Sequence, residues 1–207
     1  MLLTPIVEIF CDIDDFCKDY FHQQSPHLLP NPNRIRDKPA RMSISEIICI
    51  MVLFHMSHYR TLKDFYCDCV LGDLHDAFPC AVCYNRFVEL QKAILMPLSA
   101  YLLTKLGEQT SFYFIDSTKL AVCHNKRIPR HRVFKDIAKR GKTSMGWFYG
   151  FKLHIVINER GELVNLSITK GNVSDCRELE KLFHGLTGLA AGDKGYISKD
   201  KAAKLEQ

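Results

Sequence analysis

Apolar residues recur at helical spacing along the first half of the chain and at alternate positions along the second. Ile6, Ile9, Phe10, Ile13, Phe16, Cys17 and Tyr20 form a stripe of period 3.6 opposite Asp12, Asp15 and Asp19, which predicts an amphipathic helix opened near Pro5. Ser25 to Pro39 holds prolines at 26, 30, 32 and 39 beside Asn31 and Asn33, so it reads as a linker. Ser43-Ile44-Ser45-Glu46 is a capping box. It opens a second helix to about His58 whose nearly all-round apolarity predicts burial. Further helices are expected over Thr61 to Val70 and from Tyr84 to about Leu106, with Pro97 kinking or splitting the latter. Residues 1–106 thus read as a helical region.

From Ser111 the period shortens to two. Phe112, Phe114 and Ile115 predict one strand; in a second, Phe151, Leu153, Ile155 and Ile157 are expected as core residues, alternating with Lys152 and His154 on the opposite side. Val164, Leu166 and Ile168 alternate with Asn165 and Ser167 in a third, after a hairpin turn at Asn158-Glu159-Arg160-Gly161. Asp175 or Ser174 caps a helix to about Leu186, Asp175-Cys176-Arg177-Glu178 having the form of another capping box, and Gly188 to Gly192 is a fourth strand. The expected order over 107–207 is strand-strand-strand-helix-strand, and the fold class is α+β overall.

Charge sharpens this picture. Between Lys119 and Lys152 lie Lys119, Lys126, Arg127, Arg130, Arg132, Lys135, Lys139, Arg140, Lys142 and Lys152 against the single acid Asp136, although the whole chain carries only +5. Such a concentration attracts a polyanion. Trp147, Phe148 and Tyr149 directly follow the charges, and aromatics among cations favour nucleic acid. In the first half, Arg60, Lys63, Arg86 and Lys92 on short helices suit a DNA reader of helix-turn-helix type, or equally a helical packing domain.

Two aspartates flank the basic stretch. Asp116 follows Phe112-Tyr113-Phe114-Ile115, and Asp193 follows Gly188-Leu189-Ala190-Ala191-Gly192. A carboxylate at the inner end of an apolar strand needs a cation or hydrogen-bond donors, so the pair suits a shared metal. The plainer alternative is that each accepts backbone amides at a strand end or turn. A helical crossover after antiparallel strands returns the chain parallel to an earlier strand and would bring the two together.

Five ordered blocks, Phe112 to Thr118, the basic insert, Gly150 to Val156, Lys170-Gly171-Asn172-Val173-Ser174-Asp175 and Gly192-Asp193-Lys194-Gly195-Tyr196, resemble the DDE transposases of bacterial insertion sequences over roughly residues 107–200. The resemblance implies a ribonuclease-H-like α/β domain of the retroviral-integrase superfamily, with Asp116 and Asp193 as catalytic residues and metal ligands for Mg²⁺ (or Mn²⁺). It implies DNA as partner, both terminal inverted repeats and target, with self-association in a DNA-end complex. A third acid, a glutamate on a later helix, is also implied. Glu206 lies too close after Asp193 for that role, so the domain reads as incomplete at its C-terminus, with impaired catalysis and an exposed apolar sheet face. Two alternatives are a non-catalytic DNA-binding remnant and a ribonuclease-H-like nuclease outside transposition.

Other features weigh less. The nine cysteines are odd in number and scattered, which suits reduced thiols in a cytoplasmic protein. Cys67-Asp68-Cys69 and Cys80-Ala81-Val82-Cys83 lack the second CxxC of a zinc site and read as small buried hydrophobes. No apolar run approaches the length of a membrane span, and the N-terminus lacks the basic opening of an export signal. Gly141-Lys142-Thr143 echoes a phosphate-binding loop, but Asp136 stands where its first glycine is required.

Overall fold

The capping box at Ser43 forms as the sequence predicts: the Glu46 N–H donates to Ser43 Oγ at 3.0 Å and the Ser43 N–H to Glu46 Oε2 at 2.6 Å. The computed structural model describes residues 3–24 and 40–193; the expected linker and Glu206 lie outside the described residues. The chain divides into two units, residues 1–105 and 106–207.

The first unit is helical. It comprises α1 (Leu3–Gln24), α2 (Ile44–Met56), α3 (Leu62–Asp64, continuing as the π-helical Phe65–Asp73), α4 (Tyr84–Leu90) and α5 (Leu95–Thr104). Ile6, Ile13 and Cys17 of the α1 stripe are buried against Ile47, Ile48, Ile50 and Leu53 of α2. Asp14 accepts the Ser45 hydroxyl at 2.7 Å and takes Lys18 at 2.8 Å, which together hold its carboxyl below the usual range. The helix expected from Tyr84 onward breaks at a 3₁₀ turn, Gln91–Ala93, ahead of Pro97. Pro97 sits in the first turn of α5, where a missing N–H costs nothing. Of the paired cysteines only Cys69 is buried; Cys67, Cys80 and Cys83 are exposed. Cys67 points outward on the helix that buries Cys69, and the other two lie in and at the end of the loop before α4, so the reading of all four as core residues is corrected.

Among the described residues, the second unit is a five-stranded mixed sheet with one α-helix: β1 (Phe112–Cys123), β2 (Lys139–Thr143), β3 (Gly146–Asn158), β4 (Leu163–Lys170), α6 (Asp175–Leu182) and β5 (Leu189–Gly192). The α+β class stands, with one strand more than expected. β2 lies inside the basic insert and pairs antiparallel with the start of β3; its Lys-Arg-Gly-Lys sequence has no apolar alternation to betray it. Central β3 pairs with β1 along one edge and with β4 and β2 along the other. The predicted β3–β4 turn is present. Gly161 takes φ 79° there, and Asn158 Oδ1 accepts the Arg160 and Glu162 N–H groups at 3.0 and 2.9 Å.

Which face of β3 is buried reverses the sequence expectation. Lys152, His154, Val156 and Asn158 are buried, while Phe151, Leu153, Ile155 and Ile157 are only half-buried. The reason is α6: Leu179 and Leu182, with the following Phe183, pack on Tyr113, Ile115, Val156 and Val164 of the face that carries the polar residues. Those polar groups are satisfied. His154 Nε2 meets Thr169 Oγ1 at 2.9 Å, and Asn158 Nδ2 donates to Glu108 O and Glu162 Oε2. Asn165 Nδ2 donates to Leu182 O at 2.8 Å, fastening the end of α6 to β4. Among the described residues, the opposite face leaves Phe114, Leu120 and Ile168 exposed.

Two outcomes follow from this packing. Leu182→Ala should lower the stability of the second unit by about 2–5 kcal/mol, the usual cost of emptying a closed site, read by urea unfolding of the full chain. Burial pushes the His154 imidazole below its ordinary value against the opposing pull of Asp175 and Glu178. The unfolded chain therefore binds this proton more readily, so stability is full above the ordinary histidine value near ~6.5 and is lost as pH falls below it. Between pH 7.5 and 5.5 the native chain should lose more stability than His154→Gln; equal losses would show that another group is responsible.

Candidate active site

The strand that carries Asp193 is aligned on the one that carries Asp116. β5 runs parallel to β1 with Phe112, Tyr113, Phe114 and Ile115 facing Leu189, Ala190, Ala191 and Gly192, so Asp116 and Asp193 each follow the last pair of the register. β5 enters this register through Gly188, whose φ is 133° and where a Cβ would meet Ser111 O at 2.3 Å. Only glycine fits so close to the neighbouring strand. β5 ends at Gly192 while β1 continues to Cys123. Asp116 is therefore mid-strand rather than at a strand end, at the point where its neighbour stops.

Beyond that point lies a cavity of about 220 Å³ lined by Asp116, Asp193 and Asp175. Three lysines, Lys119, Lys142 and Lys152, and the hydroxyl-bearing Ser117, Thr118, Thr143 and Ser144 complete it. Asp116 and Asp193 are both exposed. Asp116 Oδ1 accepts the Ser117 N–H at 2.7 Å, so the backbone-amide role weighed from the sequence is present alongside the shared cavity.

Asp175 is engaged differently. Its Oδ1 receives the Lys152 ammonium at 2.9 Å, and Lys152 Nζ also donates to Val173 O at 3.0 Å. The capping box expected at Asp175 does not form: Ser174 is the N-cap without a side-chain bond, and Glu178 Oε2 instead accepts the Ser167 hydroxyl at 3.1 Å. The physical reason is the buried lysine, whose charge needs a carboxylate more than the helix end does. Sequence reasoning missed Asp175 as part of this cavity, and missed Thr143 and Ser144. The available signal was a lysine at an alternating strand position, which demands a counter-ion once that face is covered.

The basic residues separate into groups. Lys119, Lys126, Arg127, Arg130, Arg132, Lys135, Lys139, Arg140 and Lys142 are exposed, and Lys152 is 8% exposed. Lys126, Arg127 and Arg130 sit on the 3₁₀ turn Asn125–Arg130, and Lys139, Arg140 and Lys142 on β2. Of the three aromatics only Trp147 is exposed; Phe148 and Tyr149 are buried, which corrects their reading as a joint nucleic-acid surface. The Lys142 ammonium lies 5.9 Å from the Trp147 ring centroid, and Trp147, Arg140 and Asn125 line a second, separate hollow.

Among the described residues no group of three or more His, Cys, Asp or Glu side chains is placed to hold a metal. Two exposed carboxylates on one cavity leave most coordination positions to water and phosphate oxygens, the arrangement that suits Mg²⁺. They offer neither the thiolates nor the imidazoles of a zinc site.

Comparison with known proteins gives one finding for this region. The family model of the transposase DDE domain matches residues 106–207. No curated protein and no solved structure matches the chain. Proteins of this family normally use divalent metals, and the helix-covered mixed sheet is consistent with a ribonuclease-H-like DDE domain. Fold and family match agree: residues 106–207 are a transposase DDE domain.

Proposed function

We propose that the chain acts on DNA as the transposase of an insertion sequence, with Asp116 and Asp193 holding Mg²⁺ (or Mn²⁺) where the phosphodiester reacts. The observation that carries this reading is the cavity shared by two carboxylates seventy-seven positions apart in the chain, aligned by the β1–β5 register. The metal would supply polarisation of the phosphoryl group and activation of the attacking oxygen. The chain's own contribution is orientation. The two strands fix the carboxylates, and the hydroxyls of Ser117, Thr118, Thr143 and Ser144 offer donors to a strand lying in the cavity.

The exposed cations from Lys119 to Lys142 extend this footing outward. They hold phosphates without regard to sequence, as a strip of exposed lysines and arginines does. Recognition of terminal inverted repeats falls to the helical unit, whose Arg60, Lys63 and Lys92 are exposed. Arg86, also named from the sequence, is partly spent on Glu89 at 2.6 Å. A second reading is a non-catalytic DNA-binding remnant, for which the exposed cations from Lys119 to Lys142 suffice.

Metal binding separates these readings from a purely structural role for the pair. Asp116→Asn keeps an oxygen for the Ser117 N–H, so the fold should survive. Mn²⁺ affinity, followed by titration calorimetry without DNA, should nevertheless fall about tenfold or more in it and in Asp193→Asn. Unchanged affinity in both would place the metal elsewhere. Binding to terminal-repeat DNA should weaken steeply with salt, and reversing Arg127, Arg130 and Arg132 to glutamate should flatten the dependence by about 0.9 in slope for each phosphate no longer neutralised. A salt-independent complex would remove the basic strip from the DNA interface.

A further inference from the structure

The geometry points to Lys152 as the cavity's fixed phosphate anchor, with Asp175 as its positioning residue and not a third metal ligand. This inference rests on the DNA reading above and adds to it the roles of two side chains. Lys152 is more than nine-tenths buried, yet it lines the same cavity as Asp116 and Asp193. An ammonium has three N–H donors and no acceptor. Two are accounted for among the described residues, by Val173 O at 3.0 Å and Asp175 Oδ1 at 2.9 Å. The third is available to an acceptor in the cavity, and an oxygen of a phosphodiester is the acceptor that the surrounding lysines and hydroxyls suit.

Burial distinguishes this lysine from its neighbours. Lys119 and Lys142 are exposed at the cavity wall, so their long side chains meet an incoming anion only after losing rotamer freedom. Lys152 has already lost it. β3 fixes its backbone, and two acceptors on the loop and first turn leading into α6 hold its head. A charge fixed before the ligand arrives binds at lower cost than one ordered on arrival.

The same contacts decide the role of Asp175. Three aspartates line the cavity, and counting them would make Asp175 the third carboxylate of a metal site. Its Oδ1 is instead committed to Lys152 at 2.9 Å, with His154 Nδ1 at 3.9 Å, and the three aspartates do not form a metal-holding group. A carboxylate neutralised by a buried ammonium is a poor ligand for a divalent cation, and drawing it to a metal would strand the lysine's charge.

The test uses the full chain, with two probes kept apart. For the anchor, an oligothymidylate is titrated in EDTA over a range of salt. Lys152→Met/Asp175→Leu removes both charges together, so neither is left buried alone. It should still unfold cooperatively and should lose about 0.7 in the slope of log affinity against log salt, the share of one single-strand phosphate. An unchanged slope would mean that Lys152 only ties β3 to α6, and would overturn the anchor. Should that variant not fold, the native chain answers the same question. The ¹⁵Nζ resonance of Lys152 should shift when the oligothymidylate is added in EDTA, and a resonance that stays put overturns the proposal. Asp175→Asn should broaden that resonance while leaving the salt slope in place, because the charge remains but loses its fixed direction.

For the metal, Mn²⁺ alone is titrated. Asp175→Asn should match the native affinity within about twofold, whereas a loss as large as that of Asp116→Asn would make Asp175 a ligand and overturn its positioning role. Failure of Asp116→Asn to weaken Mn²⁺ binding would count against the metal reading of the pair, while the role of Lys152 is decided separately by the titrations in EDTA.

Discussion

The parallel pairing of β1 with β5 is the constraint on which the site depends. Its four-residue register, from Phe112 with Leu189 to Ile115 with Gly192, is short, and it is the contact that turns a large separation in sequence into adjacency at a cavity. Each participant contributes something specific. Gly188 lets the backbone approach Ser111, the Leu189 N–H donates to Ser111 O at 2.8 Å, and α6 makes the crossover that returns the chain in the same direction. If the register slipped by one residue, the face presented by the small β5 side chains would reverse and the approach of Asp193 to the cavity would change.

The buried face of the sheet has a mixed character that follows from the same crossover. Where α6 meets the hydrophobic end, Leu179, Leu182 and Phe183 pack on Tyr113, Ile115 and Val156. Toward its first turn the helix meets Lys152 and His154, and there the packing is by charge and hydrogen bond. Apolar contact thus secures the helix at one end, and polar contact sets where its other end lies against the cavity. The Lys152–Asp175 pair is costly to desolvate, so its net contribution to stability is small compared with the apolar end; what it fixes is direction.

Much of this was legible in the chain. Alternation announced β1, β3 and β4, the Asn158 to Gly161 turn announced its hairpin, and the capping box at Ser43 announced α2. The parallel return of the last strand beside β1, which brings both aspartates to one cavity, followed from topology. Three things were hidden, each for a physical reason. β2 is a strand made of charges, its pairing supplied by β3 rather than by its own propensity. The buried face of β3 was misassigned because alternation shows that two faces differ, and only the position of α6 decides which is covered. Asp175 looked like a helix cap because its sequence neighbours fit one, and its real partner lies on a strand 23 residues earlier.

The parallel junction also shapes the order in which the unit acquires structure. Contacts between β3 and β4 close over a tight turn, but β5 must wait until β4 and α6 have placed it beside a strand seventy-seven residues upstream, an expensive loop to close. High contact order of this kind makes the β1–β5 seam a late step in folding. A chain caught before that step would keep its hairpins, its exposed cations and hence much of its attraction for nucleic acid, while lacking the carboxylate pair. On the proposed function, folding itself would then separate the basic surface from the assembled carboxylate pair.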